Sequence, residues 1–319
     1  AAAVEAEAMG GAPGLVPVAN LKARLRGLTG RSILAEDSAF KAAAEAPFSR
    51  VRILFTKEGT MAFMGHLDLL RVIPRMLRRA GYEAAFSRGF NPVPRMSFGP
   101  ALPLGTAALE EVVEVDLLLP DSAEDMAGLW GPPERARVGA AIEARLREVA
   151  PPGLGIVRAR VMGPGERRIG ELIVAADYAV ALAPAEVAEA AAHLEARLDA
   201  GSLPVERAAV GRKGRGKPGT EAKVLDARAK ILAAWLDAEA GLLHLRLRHG
   251  DDGGARPREV VEALIGSIVP DHRFCRERLL AEVDGRLVSI GEAGAVMRPP
   301  PRPREVVQVG EAEAEPGPS

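Results

Sequence analysis

Apolar residues recur along this chain with two periods, and the changes of period mark out its elements. Val51–Phe55 (VRILF) predicts a short β-strand, followed by a turn at Lys57-Glu58-Gly59 and a second apolar run, Met61–Met64. The period then switches. Leu69, Leu70, Ile73, Met76, Leu77 and Ala80 fall on one helical face, predicting a helix over Leu67–Ala80. Asp68 lies in its first turn and Arg78 and Arg79 in its last, where the helix dipole favours each sign. Gly81 is placed to end it in a left-handed conformation. Pro74 sits inside and removes one backbone hydrogen bond, so a kink, or a first turn separate from the rest, is expected there. Ala84–Ser97 contains Gly89, Asn91-Pro92 and Pro94 and predicts an irregular loop. Glu111–Leu119 predicts a strand with a polar side at Glu114 and Asp116, Ala140–Val149 a helix, and Gly155–Met162 a strand.

The second half repeats this order. Leu172–Ala183 predicts a strand, Pro184–Ala200 a helix and Leu203–Val210 a strand. Gly241–His249 alternates strictly, Pro257–Ile265 predicts a helix, and Phe274–Val283 a strand that turns at Asp284-Gly285 into Arg286–Ile290. Lys223–Ala234 fits strand and helix equally. Both halves read β-α-β-β-α-β, so the expected fold is α+β: two tandem ferredoxin-like (βαββαβ) units with antiparallel sheets and flexible termini. The expected boundaries are a linker over 1–47, a first unit over 48–165, a second over 166–292 carrying a basic loop at 211–219, and a Pro-rich, acidic tail over 293–319. No letter-level repeat accompanies the repeated order.

Composition narrows the chemistry. The 319 residues carry a net charge of −1, so a nucleic-acid surface requires local segregation of charge. Two segments show it: Val51–Gly99 and Val205–Lys230 each hold eight bases against three acids. The single cysteine, Cys275, excludes an internal disulfide and an all-cysteine iron–sulfur site within the chain. In a predicted strand it reads as a small buried hydrophobe. No apolar run of about 18 residues predicts a transmembrane helix. AAAVEAEAMGG lacks the layout of a signal peptide, and a cytoplasmic location is expected. The first residue is Ala, as expected of a processed chain or a piece of a longer product.

The stretch FMGHLDLLRVIPRMLRRAGYEAAFSRGFNPVPRMSFGPALPLG resembles the radical-SAM-linked domain family of unknown function. Members of that family carry an F-x-S-H-x-D segment, an arginine-containing helix and an SxGFNPxPxxSF…PLPLG segment. The resemblance continues more weakly through Val224–Ile231 and Gly254–Leu264, covering about residues 48–283. Gly65 stands where the family often has Ser, and Val93 where His is common. The resemblance implies a radical SAM protein as partner, fused or separate. The iron–sulfur cluster and S-adenosylmethionine would belong to that partner; this chain has no CxxxCxxC and is expected to hold no cofactor. The family brings no established reaction.

His66 and Asp68 are the candidate catalytic residues, at a helix start where anions bind well. The competing role is capping, and no partner base or nucleophile is evident. Arg71, Arg75, Arg78 and Arg79 recur opposite the apolar stripe and, with Arg88 and Arg95, predict an RNA- or anion-binding face. Asn91 is a candidate for a base-edge contact. Phe90 could stack on a base, but its expected place is the core. Lys213, Arg215 and Lys217 resemble a phosphate-contacting arm. No metal site is expected. The expected function is a non-catalytic RNA-binding or substrate-presenting module acting with a radical SAM protein on tRNA or rRNA. The alternatives are a metal-independent RNA-processing or RNA-modifying enzyme using His66, and a purely structural docking domain.

Overall fold

The computed structural model describes residues 46–122, 125, 128–207, 223–249 and 256–297. Its first half runs β1 (Ser49–Lys57), α1 (His66–Arg79), β2 (Met96–Phe98), β3 (Ala107–Leu117), α2 (Pro132–Val149) and β4 (Ile156–Val161). A short helix, α3 (Ile169–Leu172), leads into β5 (Ile173–Ala181), α4 (Pro184–Asp199), and β6 (Pro204–Arg207) paired with β7 (Lys223–Asp226). There follow β8 (Ile231–Asp237), β9 (Leu242–Arg248), α5 (Pro257–Ile265), β10 (Phe274–Val283) and β11 (Arg286–Ser289). Helices α2, α4 and α5 each start at a proline, whose missing N–H costs nothing in the first turn. Among the described residues no helix is long and apolar enough to cross a membrane.

The strands form one mixed, mostly antiparallel nine-stranded sheet in the order β4-β1-β3-β10-β5-β9-β8, with β2 beside β3 and β11 beside β10. Two separate sheets were expected. They join because β10 pairs in parallel with β3 at Cys275↔Ala107 and Arg276↔Ala108. Alternation then sorts the side chains. Val51, Ile53 and Phe55 of β1 and Val113, Val115 and Leu117 of β3 pack under α1 and α2 with Ile73, Leu77, Ile142 and Leu146. Leu54 and Val112 project the other way and join a second core, with Ile169 and Leu172, that continues to Leu194, Leu243, Leu264 and Phe274.

Several expectations change. Lys223–Ala234 resolves into strand on both sides of a short turn. Helix α1 runs unbroken through Pro74. Leu70, whose carbonyl loses its partner, lies on the exposed side. Residues 293–297 are held to the body: Val296 O accepts the Arg167 N–H (2.8 Å) and Met297 bridges to Glu166. Residues 1–45 and 298–319 lie outside the described residues.

The largest change concerns the polar side of β3, which is buried. Arg52 Nε and Nη2 donate to Glu114 Oε1 (3.1 and 2.6 Å), and both side chains are 2% exposed. Arg50 and Arg95 share Asp116, each at 2.8 Å. Arg276 Nε donates to Glu111 Oε1 (2.7 Å), while Nη2 reaches the same oxygen and the Pro100 carbonyl (2.8 Å). A buried carboxylate is tolerated only with such partners. Glu110 is less well served. Ser289 Oγ donates to its Oε2 (2.6 Å), but its Oε1 is buried without a partner. Burial therefore holds the Glu110 carboxyl above its ordinary range.

Arg276→Ala should cost about 3–5 kcal/mol in urea unfolding, because it strands Glu111. A Glu111→Leu/Arg276→Met double variant should recover much of that loss. Glu110 predicts a pH dependence. Its folded pKa is raised, so its contribution to stability is complete below the unfolded value of about 4.3 and is lost as pH rises through the folded value. Glu110→Gln should make that decline shallower, read as urea midpoints that fall less from acid to neutral pH, the part that remains coming from the likewise raised Glu111 carboxyl.

Candidate nucleic-acid interface

Helix α1 is fixed at both ends by local chemistry. Asp68 Oδ2 accepts the Gly65 N–H (3.0 Å), and Gly65 O accepts the N–H groups of Asp68 and Leu69 (3.0 and 3.2 Å). Asp68 is thereby engaged as a cap. At the other end Gly81 takes φ +86°, with its N–H on Arg78 O (3.1 Å). Leu69, Ile73, Met76, Leu77 and Ala80 are buried, whereas Arg71, Arg75, Arg78 and Arg79 are all exposed. None of these four forms an ion pair with a described residue. Among the described residues nothing neutralises their charge.

The loop after α1 closes on itself. Ser87 N–H donates to Val93 O (2.9 Å), Val93 N–H donates to Ser87 Oγ (3.1 Å), and Phe86 bridges to Pro94. Arg88, Gly89, Phe90, Asn91 and Pro92 protrude beyond this closure and are exposed. Phe90 is fully exposed, which overturns its expected place in the core. The tip lies past the last bridge to the body, so neither core can reach its ring. Arg95 sits on the inner arm instead. It pairs with Asp116, and its guanidinium lies 4.1 Å from the centre of the Phe48 ring. It braces the loop rather than extending the exposed cationic row.

His66 is the exposed first residue of α1, edge-on to Phe98 with ring centres 5.0 Å apart. It lines a small cavity with Lys57, Glu111 and the Gly99–Leu102 segment. Lys57 is 2% exposed, and its amine makes no hydrogen bond or ion pair with a described residue. Burial lowers its pKa, opposed by Glu111. Sequence reasoning missed this neighbourhood. Lys57 reads as a turn residue, Glu111 as the start of a strand, and nothing local links either to His66.

The second basic segment is only partly visible. Lys213, Arg215 and Lys217 lie outside the described residues. Arg228 turns inward, its Nε donating to Leu198 O (2.6 Å). Among the described residues no three His, Cys, Asp or Glu side chains gather as a metal site. Residues 50–257 match a family model described as an uncharacterized protein conserved in bacteria (DUF2344). No curated protein matches the chain.

Cys275 is half-buried in β10. Burial, with Glu277, Glu58 and Glu111 nearby, pushes its thiol up to about 11. Only the thiolate reacts, so iodoacetamide should modify it about 300-fold more slowly at neutral pH than an unburied thiol. The rate should climb tenfold per pH unit until about pH 11. A plateau near the ordinary thiol value of about 8.5 would show an unburied group.

Proposed function

The chain belongs to the DUF2344 family of uncharacterized bacterial proteins, and we propose that it serves as a non-catalytic RNA-binding or substrate-presenting module. In this reading it works in the cytoplasm with a radical SAM protein on tRNA or rRNA. The observation that carries the RNA part is the row of exposed guanidiniums on α1 that pair with no described residue. Arg71, Arg75, Arg78 and Arg79 are exposed and make no ion pair with a described residue, while Arg50, Arg52, Arg95, Arg160, Arg246 and Arg276 are each bound to a carboxylate. Exposed guanidiniums at helical spacing suit phosphates, which position an RNA without reading it. The protruding Phe90 and Asn91, flanked by Arg88, suit an unpaired base through stacking and an edge contact. The radical SAM partner rests on the resemblance of the Phe63–Gly105 segment, and the cluster and S-adenosylmethionine would be that partner's. Each half is read as a ferredoxin-like unit. The strand orders β4-β1-β3 with β2 beside β3, and β10-β5-β9-β8, support that reading.

One observation favours a catalytic alternative: His66 shares its cavity with a buried lysine and a buried carboxylate. His66→Ala that leaves the RNA-dependent turnover of the reconstituted pair unchanged would remove it.

Filter binding of tRNA across a salt series tests the main reading. An Arg75→Glu/Arg78→Glu/Arg79→Glu chain should lose at least about 100-fold affinity at low salt. Its slope of log K against log salt should be shallower by about 2–3. Phe90→Ala should weaken binding about 10-fold at an unchanged slope. A wild-type chain without affinity at low salt, or without salt dependence, defeats the proposal.

A further inference from the structure

A second surface lies on the outer strands of the other half. On β9, Leu243, Leu245 and Leu247 are buried in the core with Val260, Leu264 and Ile265 of α5. Alternation turns His244, Arg246 and Arg248 to the opposite face. Directly paired residues share a face, so the register maps that surface. One row across β8, β9, β5 and β10 reads Trp235, His244, Ala179, Cys275. The next reads Ala233, Arg246, Asp177, Arg278. The first row spans three strand spacings, about 14 Å, and the rows lie about 7 Å apart.

The chemistry of the two rows differs. The Trp235 indole stacks on the His244 imidazole with ring centres 4.8 Å apart and planes 8° from parallel, and Trp235 is still 49% exposed. Beside this aromatic wall lie the small side chains of Ala179 and the half-buried Cys275, with the Glu277 carboxylate at the far side of His244 (3.6 Å from Nδ1). The second row is cationic. Arg246 grips Asp177 with two bonds (2.7 and 3.0 Å), and Arg278 takes the same carboxylate (3.0 Å). This row by itself keeps one positive charge in surplus, which the Glu277 carboxylate beside His244 on the same face offsets. Arg248, one step further along β9, is exposed and has no ion pair with a described residue. The surface closes beyond it, since Ala175 and Leu280 are buried.

We propose that this face is a stacking platform for the bases of single-stranded RNA. A half-exposed indole next to small residues takes a flat ring. Arg248, two row spacings (about 14 Å) along β9, takes a phosphate that follows it, and the half-exposed Arg278 borders its path. A base must be unstacked to lie on the indole, and a shallow sheet face cannot enter the narrow groove of duplex RNA. The ligand is therefore a single-stranded stretch. The proposal rests on the RNA reading above for the class of polymer, but on a different surface.

The test uses the protein's own fluorescence. Trp130 is buried, so Trp235 is the accessible reporter of the two tryptophans. Titration of the full chain with a 12-mer of oligoadenylate should quench its emission saturably, whereas inorganic polyphosphate should not. Trp235→Ala should weaken oligoadenylate binding about 10-fold, and Trp235→Phe should retain most of it. Arg248→Ala should reduce the salt slope by about 0.7. An Arg75→Glu/Arg78→Glu/Arg79→Glu chain that loses tRNA yet keeps the quench supports a separate platform. A wild-type chain that binds tRNA but shows no quench with saturating oligoadenylate overturns the platform and leaves the α1 reading standing. Oligoadenylate binding by Trp235→Ala equal to wild type also overturns it.

Discussion

The buried contact of Arg276 with Glu111 is the constraint on which the rest of this structure depends. Only two parallel residue pairs link β10 to β3, and so one half of the sheet to the other. Two pairs of a parallel ladder hold little by themselves. Across that seam Arg276 reaches both Glu111 and the Pro100 carbonyl, tying β3, β10 and the segment after β2 at one point. Neighbouring bonds reinforce it, with Ser289 on Glu110 (2.6 Å) and Thr106 on the Asp271 carbonyl (3.3 Å). The Gly99–Leu102 segment that walls the His66 cavity is thus positioned from the second half of the chain.

Charge in this protein is distributed by the same logic. Inside, arginines and carboxylates are matched: Arg52 with Glu114, Arg50 and Arg95 with Asp116, Arg276 with Glu111. Such pairs gain little net stability over apolar packing, but they make the alignment of their strands specific, since a slipped register would bury an unpaired charge. Apart from Lys57, which is buried without an ion pair to a described residue, what is left over is outside. The α1 arginines face solvent because their helix has spent its other face on Leu69, Ile73, Met76 and Leu77. A chain of net −1 can in this way show a positive face.

The local elements were legible in the sequence. Helix α1 with its cap, α5 from Pro257 to Ile265 and the alternating β9 fall where periodicity, prolines and glycines place them. Periodicity and capping are properties of neighbouring residues, so a local reading captures them. The basic stripe of α1 was legible for the same reason. Lys223–Asp226 was not, because its pairing partner β6 lies across residues 208–222.

The sequence by itself determined where helices and strands begin, which helical face is apolar and where basic residues are dense. Tertiary structure alone decided which charges are buried. Arg52 and Arg71 are the same residue in the same basic segment, yet one lies between strands against Glu114 and the other lies in water. It also decided that Phe90 leaves the core, that Lys57 and Glu111 come to His66, and that Trp235 stacks on His244. Burial is set by what arrives from far along the chain. Glu111 and Arg276 are 165 residues apart, and no local pattern announces their meeting.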